Sequence, residues 1–182
     1  VLGARLEEEA RLRLRRTWLW GKESNRAALL LDFAAGSQPL EPGPPPGVCF
    51  EAELAFYPGA FPLRALVKAR YGDTRRAHAM PGHDSAAVAM VAYGAALARS
   101  PWLERFPLPL CRVKPLRRDD GWIVVDEEGD ALPLSRTFRE GWQLLSVSGG
   151  HPLAVFGEWD GAALWPMSAW EHGSEDNPVW QG

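Results

Sequence analysis

The first hydrophobic pattern of the chain lies at its start, where apolar residues recur at every fourth position. Leu2, Leu6, Ala10 and Leu14 would line one face of a helix. Acidic residues come early in this segment and arginines come late, which suits the helix dipole. The spacing therefore predicts an amphipathic helix over residues 2–15, and its arginines are interpreted as a solvated helix end.

Two pairs of apolar runs then follow, each interrupted by turn-forming residues. Residues 17–20 and 27–33 flank a polar five-residue turn, which is typical of a β-hairpin. Residues 48–57 alternate between apolar and polar side chains, and a turn containing Pro58 and Pro62 leads into a partner strand over residues 63–70. Both pairs are predicted to be antiparallel.

The segment from Ala86 to Arg99 is rich in alanine and has almost no polar side chain. Asp84 or Ser85 can cap its start, and Ser100-Pro101 ends it. A helix that is apolar on all sides is normally buried. We therefore expect a buried central helix over residues 85–99.

The second half of the chain has short apolar runs at regular spacing, separated by glycine-containing turns. This pattern is typical of a compact antiparallel sheet or a small barrel. The candidate strands are residues 111–116, 121–125, 131–134, 142–147, 153–156 and 163–167.

Together these patterns predict an α+β fold, with antiparallel strands packed on the buried alanine-rich helix and followed by a β-rich lobe, a sheet or a small barrel. The division expected from the sequence is an α+β lobe over residues 1–105, a β-rich lobe over residues 106–172 and a loose tail over residues 173–182.

The charge balance argues against a general nucleic-acid binder. The chain has 20 Lys and Arg against 23 Asp and Glu, a formal net charge of -3, whereas non-specific binding to nucleic acid needs a basic excess. Residues 1–100 carry 13 basic against 10 acidic residues, and residues 101–182 carry 7 against 13. Nucleic-acid binding through Arg11 to Arg16 and Arg75-Arg76 is kept as the third hypothesis.

Cysteine content and hydropathy indicate the compartment. Cys49 and Cys111 lie in separate apolar runs and cannot form a disulfide framework, so a reducing compartment is expected. No apolar run approaches the ~20 residues of a membrane span, and no secretory signal is evident. The sequence therefore predicts a cytoplasmic location. The chain opens at Val1 without a methionine, and we treat it as a fragment of a longer protein.

The common sequence motifs of catalysis and metal binding are absent. The sequence has no glycine-rich phosphate loop, nucleophile elbow or HExxH helix. The scattered histidines and cysteines do not form the two close pairs of a structural zinc site. Ser148-Gly149-Gly150-His151 is first of all a turn. We therefore predict no catalytic residue, no metal and no cofactor.

Tryptophan is the most unusual feature of the sequence, because seven of the nine tryptophans occur from Trp102 onward. Rings beside carboxylates can stack on a sugar or grip a peptide, although several of them could instead fill a small core. The predicted contact surface consists of His151, Glu158, Trp159, Asp160 and Trp165.

Several segments resemble a known family. The chain is similar, over nearly its whole length, to a region of bacterial SWIM zinc-finger proteins. The similar segments are Trp18-Leu19-Trp20-Gly21, residues 29–34, residues 51–58, residues 61–67, Gly149-Gly150-His151-Pro152 and residues 156–161. The Cys-x-Cys and Cys-x-His halves of that finger are absent here, so the zinc module lies outside this chain or is lost.

Members of that family are typically encoded beside MoxR-type AAA ATPases and von Willebrand factor A proteins. The resemblance therefore implies a partner-binding component of such a system. Because no catalytic motif is present, the leading prediction is a non-enzymatic protein-interaction module that works with such partners. The alternative hypothesis is a small-ligand or carbohydrate site built from the same tryptophans and acidic residues. It includes a site that hydrolyses its ligand.

Overall fold

A computed structural model describes residues 1–9, 12–36, 38–77, 79–171 and 178–182. Within these residues the chain forms eleven β-strands and two α-helices, and the strands pair antiparallel in three sheets. The fold is therefore β-rich with some helix, so the prediction of a mixed fold with antiparallel strands is confirmed in this coarser form.

The first sheet contains β1 (Gly3–Glu9), β2 (Leu12–Gly21) and β3 (Arg26–Ala35) in that order. The hairpin between β2 and β3 confirms the sequence prediction, and Asn25 in its turn has a positive φ of 47°. Where a helix over residues 2–15 was predicted, the structure has β1 and the beginning of β2.

The reason for this error lies in the periodicity itself. Positions 2, 6, 10 and 14 are four residues apart, and an even spacing also fits one face of a strand. In β1 the apolar Leu6 is exposed, whereas the charged neighbours Arg5 and Glu7 are half-buried. The inner face of β1 is therefore charged at this end, which hydrophobic patterning cannot recognise.

The second sheet is the middle layer of the molecule and has six strands in the order β11-β10-β9-β6-β7-β8. Its strands are β6 (Phe106–Arg118), β7 (Gly121–Val125), β8 (Ala131–Pro133), β9 (Leu153–Trp159), β10 (Leu164–Glu171) and β11 (Trp180–Gln181). Strand β9 pairs with β6 on one side and β10 on the other, and every one of its residues is buried.

The third sheet is a two-stranded ribbon of β4 (Val48–Phe56) and β5 (Ala65–Arg76). It confirms the predicted antiparallel pair, with Ala55 opposite Leu66 near the turn. Most side chains of β5 after Ala65 are exposed or half-buried. The ribbon therefore makes long backbone pairing with little burial.

Helix α1 (Ala86–Arg99) confirms the helix predicted over residues 85–99, including its cap. The Ser85 side chain accepts a hydrogen bond from the backbone of Val88 at 3.3 Å. Asp126, which follows β7, accepts a second bond from the backbone of Ala86 at 2.8 Å. Burial differs from the prediction, because only the side that carries Ala86, Ala89 and Ala96 is buried.

Helix α2 (Gly141–Ser148) stands where the sequence predicted a strand over residues 142–147. Its buried positions Gly141, Leu144 and Ser148 are spaced three and four apart, as one face of a helix requires. Gly149 ends the helix in the left-handed conformation, with φ 53°. That glycine is the usual residue after a helix, and it was the signal in the sequence that could have indicated α2.

Two hydrophobic clusters lie on opposite faces of β9. Leu153 and Val155 face the cluster that includes α1 and Leu144 of α2. Ala154 and Phe156 face the cluster that includes the first sheet. The helices, the six-stranded sheet and the first sheet therefore form successive layers. Both clusters contain residues from before and after residue 105, so the proposed two lobes share their cores.

A third and smaller cluster joins the first sheet to the ribbon. Leu19, Ala28 and Ala65 are its buried residues, and Phe50 and Phe56 pack partly against them. Residues 173–177 of the predicted loose tail lie outside the described residues. The end of that tail differs from the prediction, because Trp180 is buried in β11 against Phe138, with ring centroids 5.7 Å apart.

Candidate binding surfaces

A buried carboxylate lies where the first sheet meets the middle sheet. Glu158, near the end of β9, has a side chain that is 1% exposed. Its Oε1 accepts hydrogen bonds from Arg16 Nε at 2.8 Å and Trp18 Nε1 at 2.7 Å, and its Oε2 accepts one from Arg105 Nη1 at 3.2 Å. These donors compensate for the lost hydration of the carboxylate, which would otherwise be costly to bury.

Two further charged residues extend this contact along β1. Arg105 Nη2 lies 3.7 Å from Glu7 Oε1, and Arg5 Nη1 lies 3.4 Å from the same oxygen. Burial lowers the pKa of Arg5 from its ordinary value, and the Glu7 carboxylate opposes that shift. We call this set the arginine–glutamate cluster: Arg5, Glu7, Arg16, Arg105 and Glu158. With three arginines and two glutamates, it carries one excess positive charge.

A cleft of about 310 Å³ opens beside the arginine–glutamate cluster. We call it the Arg16 cleft. Arg16, Trp18 and Arg105 contribute to its lining from the cluster side, and Tyr57, Phe61 and Arg64 contribute from the loop between β4 and β5. The cleft therefore combines cationic groups with aromatic walls.

The five predicted contact residues do not form one exposed patch. Glu158 is buried in the cluster, and Trp159 is 6% exposed, with its ring packed edge-on against Tyr93 at 6.5 Å. Trp165 is half-buried under Arg5, whose guanidinium carbon lies 3.7 Å from the ring centroid.

The other two predicted residues are exposed but lie apart. His151 precedes β9, and Asp160 follows it. A seven-residue strand rises about 3.3 Å per residue, so the two residues are at opposite ends of a strand about 20 Å long. Asp160 also has a structural role, because its Oδ1 accepts backbone hydrogen bonds from Ala162 and Ala163 at 2.8 and 2.7 Å.

Helix α1 exposes an apolar surface to solvent. Val91 is 75% exposed, and the residue Trp102, which follows the helix, is 90% exposed. We define the α1 outer face as the exposed uncharged positions of the helix together with this tryptophan: Ala87, Val88, Val91, Gly94, Ala95, Ala98 and Trp102. No charged residue occurs in the helix before Arg99. The sequence prediction of a helix buried on all sides missed this surface.

The arginines considered for nucleic-acid binding are divided between two places. Arg13 and Arg15 of β2 donate to the backbone carbonyls of Gln38 and Glu41, and Arg15 also pairs with Asp32 at 2.8 Å. Arg75 and Arg76 lie at the end of the ribbon. Residue 11 lies outside the described residues. Part of this positive charge is therefore already used within the chain.

His83 and Cys111 are neighbours through their backbones. The His83 nitrogen donates to the Pro109 oxygen, and the Cys111 nitrogen donates to the His83 oxygen, both at 2.9 Å. Burial lowers the pKa of His83, an effect that Asp84 opposes, and burial together with Asp84 raises the pKa of Cys111. The thiol is therefore protonated at neutral pH, which makes it a weak nucleophile.

The described part of the chain contains no group of three or more His, Cys, Asp or Glu side chains placed to hold a metal ion. Histidines 78 and 172 lie outside it. Among the helices that the structure describes, none combines the length and apolar character needed to cross a membrane.

Comparison with known proteins gave no relative. No family model, no curated protein and no solved structure matches the chain.

Proposed function

We propose that the protein is a non-enzymatic protein-interaction module whose contact surface is the α1 outer face. The observation that carries this proposal is Trp102, which follows α1 in the chain and leaves 90% of a large aromatic side chain in solvent. Exposed apolar patches of this kind typically mark interaction sites, and tryptophan is enriched among residues that dominate binding energy.

The composition of the surface indicates what its partner presents. Small side chains at Gly94, Ala95 and Ala98 allow another backbone to approach closely, and Val91 stands in the middle of the surface. Charged groups lie at the two ends, with exposed Asp84 before the helix and exposed Arg99 at its end. The surface suits an apolar helix or strand of a partner with complementary charges at its rim.

The proposed partners are a MoxR-type AAA ATPase and a von Willebrand A protein, and the support for them is the resemblance to bacterial SWIM zinc-finger proteins described above. A cytoplasmic location is proposed with them, since such an assembly would work there.

The test is direct binding to the purified MoxR-type ATPase and von Willebrand A protein of the same genome. Val91→Arg and Trp102→Ala are expected to weaken binding by at least about tenfold, because the first buries a charge and the second removes a ring from the interface. Leu66→Arg is the matched control, since Leu66 is an exposed apolar residue of the ribbon, 52% exposed.

Circular dichroism of each variant separates lost binding from lost folding. Equal loss in all three variants, or unchanged affinity of Val91→Arg and Trp102→Ala, would contradict the proposed surface. Failure of the wild-type chain to bind either protein would reject this class of partner.

A further inference from the structure

We propose that the Arg16 cleft binds a small organic anion, a carboxylate or phosphate monoester attached to a flat apolar ring. No residue of the α1 outer face lines this cleft, although the lining residue Leu103 directly follows Trp102 in the chain. The proposal does not depend on the proposed protein partner.

Arg16 has hydrogen-bonding capacity that the chain does not use. Its Nε donates to Glu158, but among the described residues its two Nη nitrogens have no acceptor. A fully buried side-chain nitrogen without an acceptor would be an unsatisfied buried atom, and neither Nη of Arg16 is one. The Nη nitrogens are therefore accessible to solvent, and Arg16 lines the cleft. A guanidinium presents these N–H groups in a fork that matches a carboxylate or a phosphate.

The Arg16 side chain is already ordered before a ligand binds. The Arg16 side chain is only 13% exposed and is held by the 2.8 Å bond to Glu158. A ligand would therefore meet a guanidinium that is already ordered, so little side-chain entropy would be lost on binding.

The charged residues around the cleft carry an excess of positive charge. The arginine–glutamate cluster has one more arginine than glutamate, and Arg64 adds a further cation to the lining of the cleft. Glu158 already accepts three hydrogen bonds, and Glu104, which also lines the cleft, is exposed to water. The accessible groups of the cleft therefore favour an anion over a cation.

The size of the cleft and its aromatic lining suit a ligand that contains a ring. Phe61 and Tyr57 supply aromatic surface, and Arg64 already lies over the Tyr57 ring at 4.5 Å from its centroid. A volume of about 310 Å³ is at the lower end of the range for ligand sites, which is roughly 300–1,000 Å³. A ligand with a single ring is therefore the expected size.

The test is isothermal titration calorimetry of the whole chain with phenyl phosphate and with benzoate. Phenol, which lacks the charge, and inorganic phosphate, which lacks the ring, are the matched control compounds. We expect saturable binding of at least one aromatic anion with a Kd of about 1 mM or tighter, and at least about tenfold weaker binding of both controls. The two anions distinguish a phosphate site from a carboxylate site.

Variants locate the binding in the cleft. Arg64→Ala is expected to weaken binding by about tenfold, since a charge-assisted contact is lost. Arg70→Ala removes an exposed cation of β5, the strand that follows Arg64, but outside the cleft, and it is expected to leave the affinity unchanged. Arg16→Lys keeps a positive charge beside Glu158 but lacks the fork, so its affinity should fall while the chain remains folded.

Three results would overturn the proposal: no saturable binding of either aromatic anion, equal binding of phenol, or equal effects of Arg64→Ala and Arg70→Ala. None of these results bears on the α1 outer face, which is tested by binding to the protein partners.

Discussion

Strand β9 and the β4–β5 ribbon are both regular antiparallel structures, but they differ in what their side chains contact. All seven residues of β9 are buried, whereas Ala65 is the one residue of the ribbon in the buried class among the described residues. Strand β9 lies between two paired strands and between two hydrophobic clusters, while the ribbon packs on the first sheet near its turn. Backbone pairing alone therefore does not measure how much a strand stabilises this fold.

The two regions also differ in how they accommodate a charged side chain. Glu158 on β9 accepts three hydrogen bonds in a buried setting, while Glu53 on β4 pairs with Lys68 at 2.8 Å with both side chains more than half exposed. The exposed pair is worth at most about 1 kcal/mol, because water and salt screen it. The buried carboxylate matters more, because its removal leaves arginines without their counter-ion.

The largest difference in stability between the two regions is expected when one phenylalanine in each is replaced by alanine. Phe156→Ala on β9 should lower the free energy of unfolding by about 3–5 kcal/mol, because Phe156 is fully buried against Trp18 and its loss leaves a cavity. Phe50→Ala on β4 should cost clearly less, because Phe50 is half-buried and has Arg70 over its ring. Urea denaturation measures both, and equal losses would contradict the contrast between the two regions.

A smaller difference is expected for the two glutamates. Glu158→Gln should lower the free energy of unfolding by about 2–3 kcal/mol, below the usual cost of breaking a fully buried pair because Arg105 is 35% exposed. Glu53→Gln should change it by less than about 0.5 kcal/mol. Urea denaturation at low and high salt is the measurement. If Glu158→Gln lowered the free energy of unfolding as little as Glu53→Gln is expected to, Glu158 would not be important for stability.

The elements that the sequence predicted well depend on contacts between near neighbours in the chain. The hairpin of β2 and β3, the ribbon and α1 each follow from local alternation, turn residues or a cap such as Ser85. The position of β9 between β6 and β10 could not be predicted in the same way, because β6 begins about 47 residues earlier in the chain, at Phe106.

The N-terminal segment shows the opposite case. Its spacing of four fits both a helix and a strand, and the choice is made by distant partners: Arg5 lies over Trp165, and Ser168 donates a hydrogen bond to the Leu2 carbonyl. Tertiary contacts of this kind commonly override local propensity.

The candidate site could not be predicted for the same reason, because its contacts join residues that are far apart in the sequence. A carboxylate beside a tryptophan suggested an exposed contact surface, but Glu158 is buried by Arg16 and Trp18, which are 142 and 140 residues away in sequence. Trp102 carried no recognisable local signal, since exposure depends on what the rest of the chain leaves uncovered.

The central claim is that the α1 outer face, and not the ribbon, contacts a protein partner. Hydroxyl-radical footprinting tests it with two exposed aromatic residues of one chain, Trp102 at 90% and Tyr71 at 50% exposure. When the proposed partner, the MoxR-type ATPase or the von Willebrand A protein, is added, we predict that oxidation of Trp102 falls at least about fivefold while that of Tyr71 on the ribbon is unchanged. Protection of Tyr71 with Trp102 still fully reactive would contradict the account.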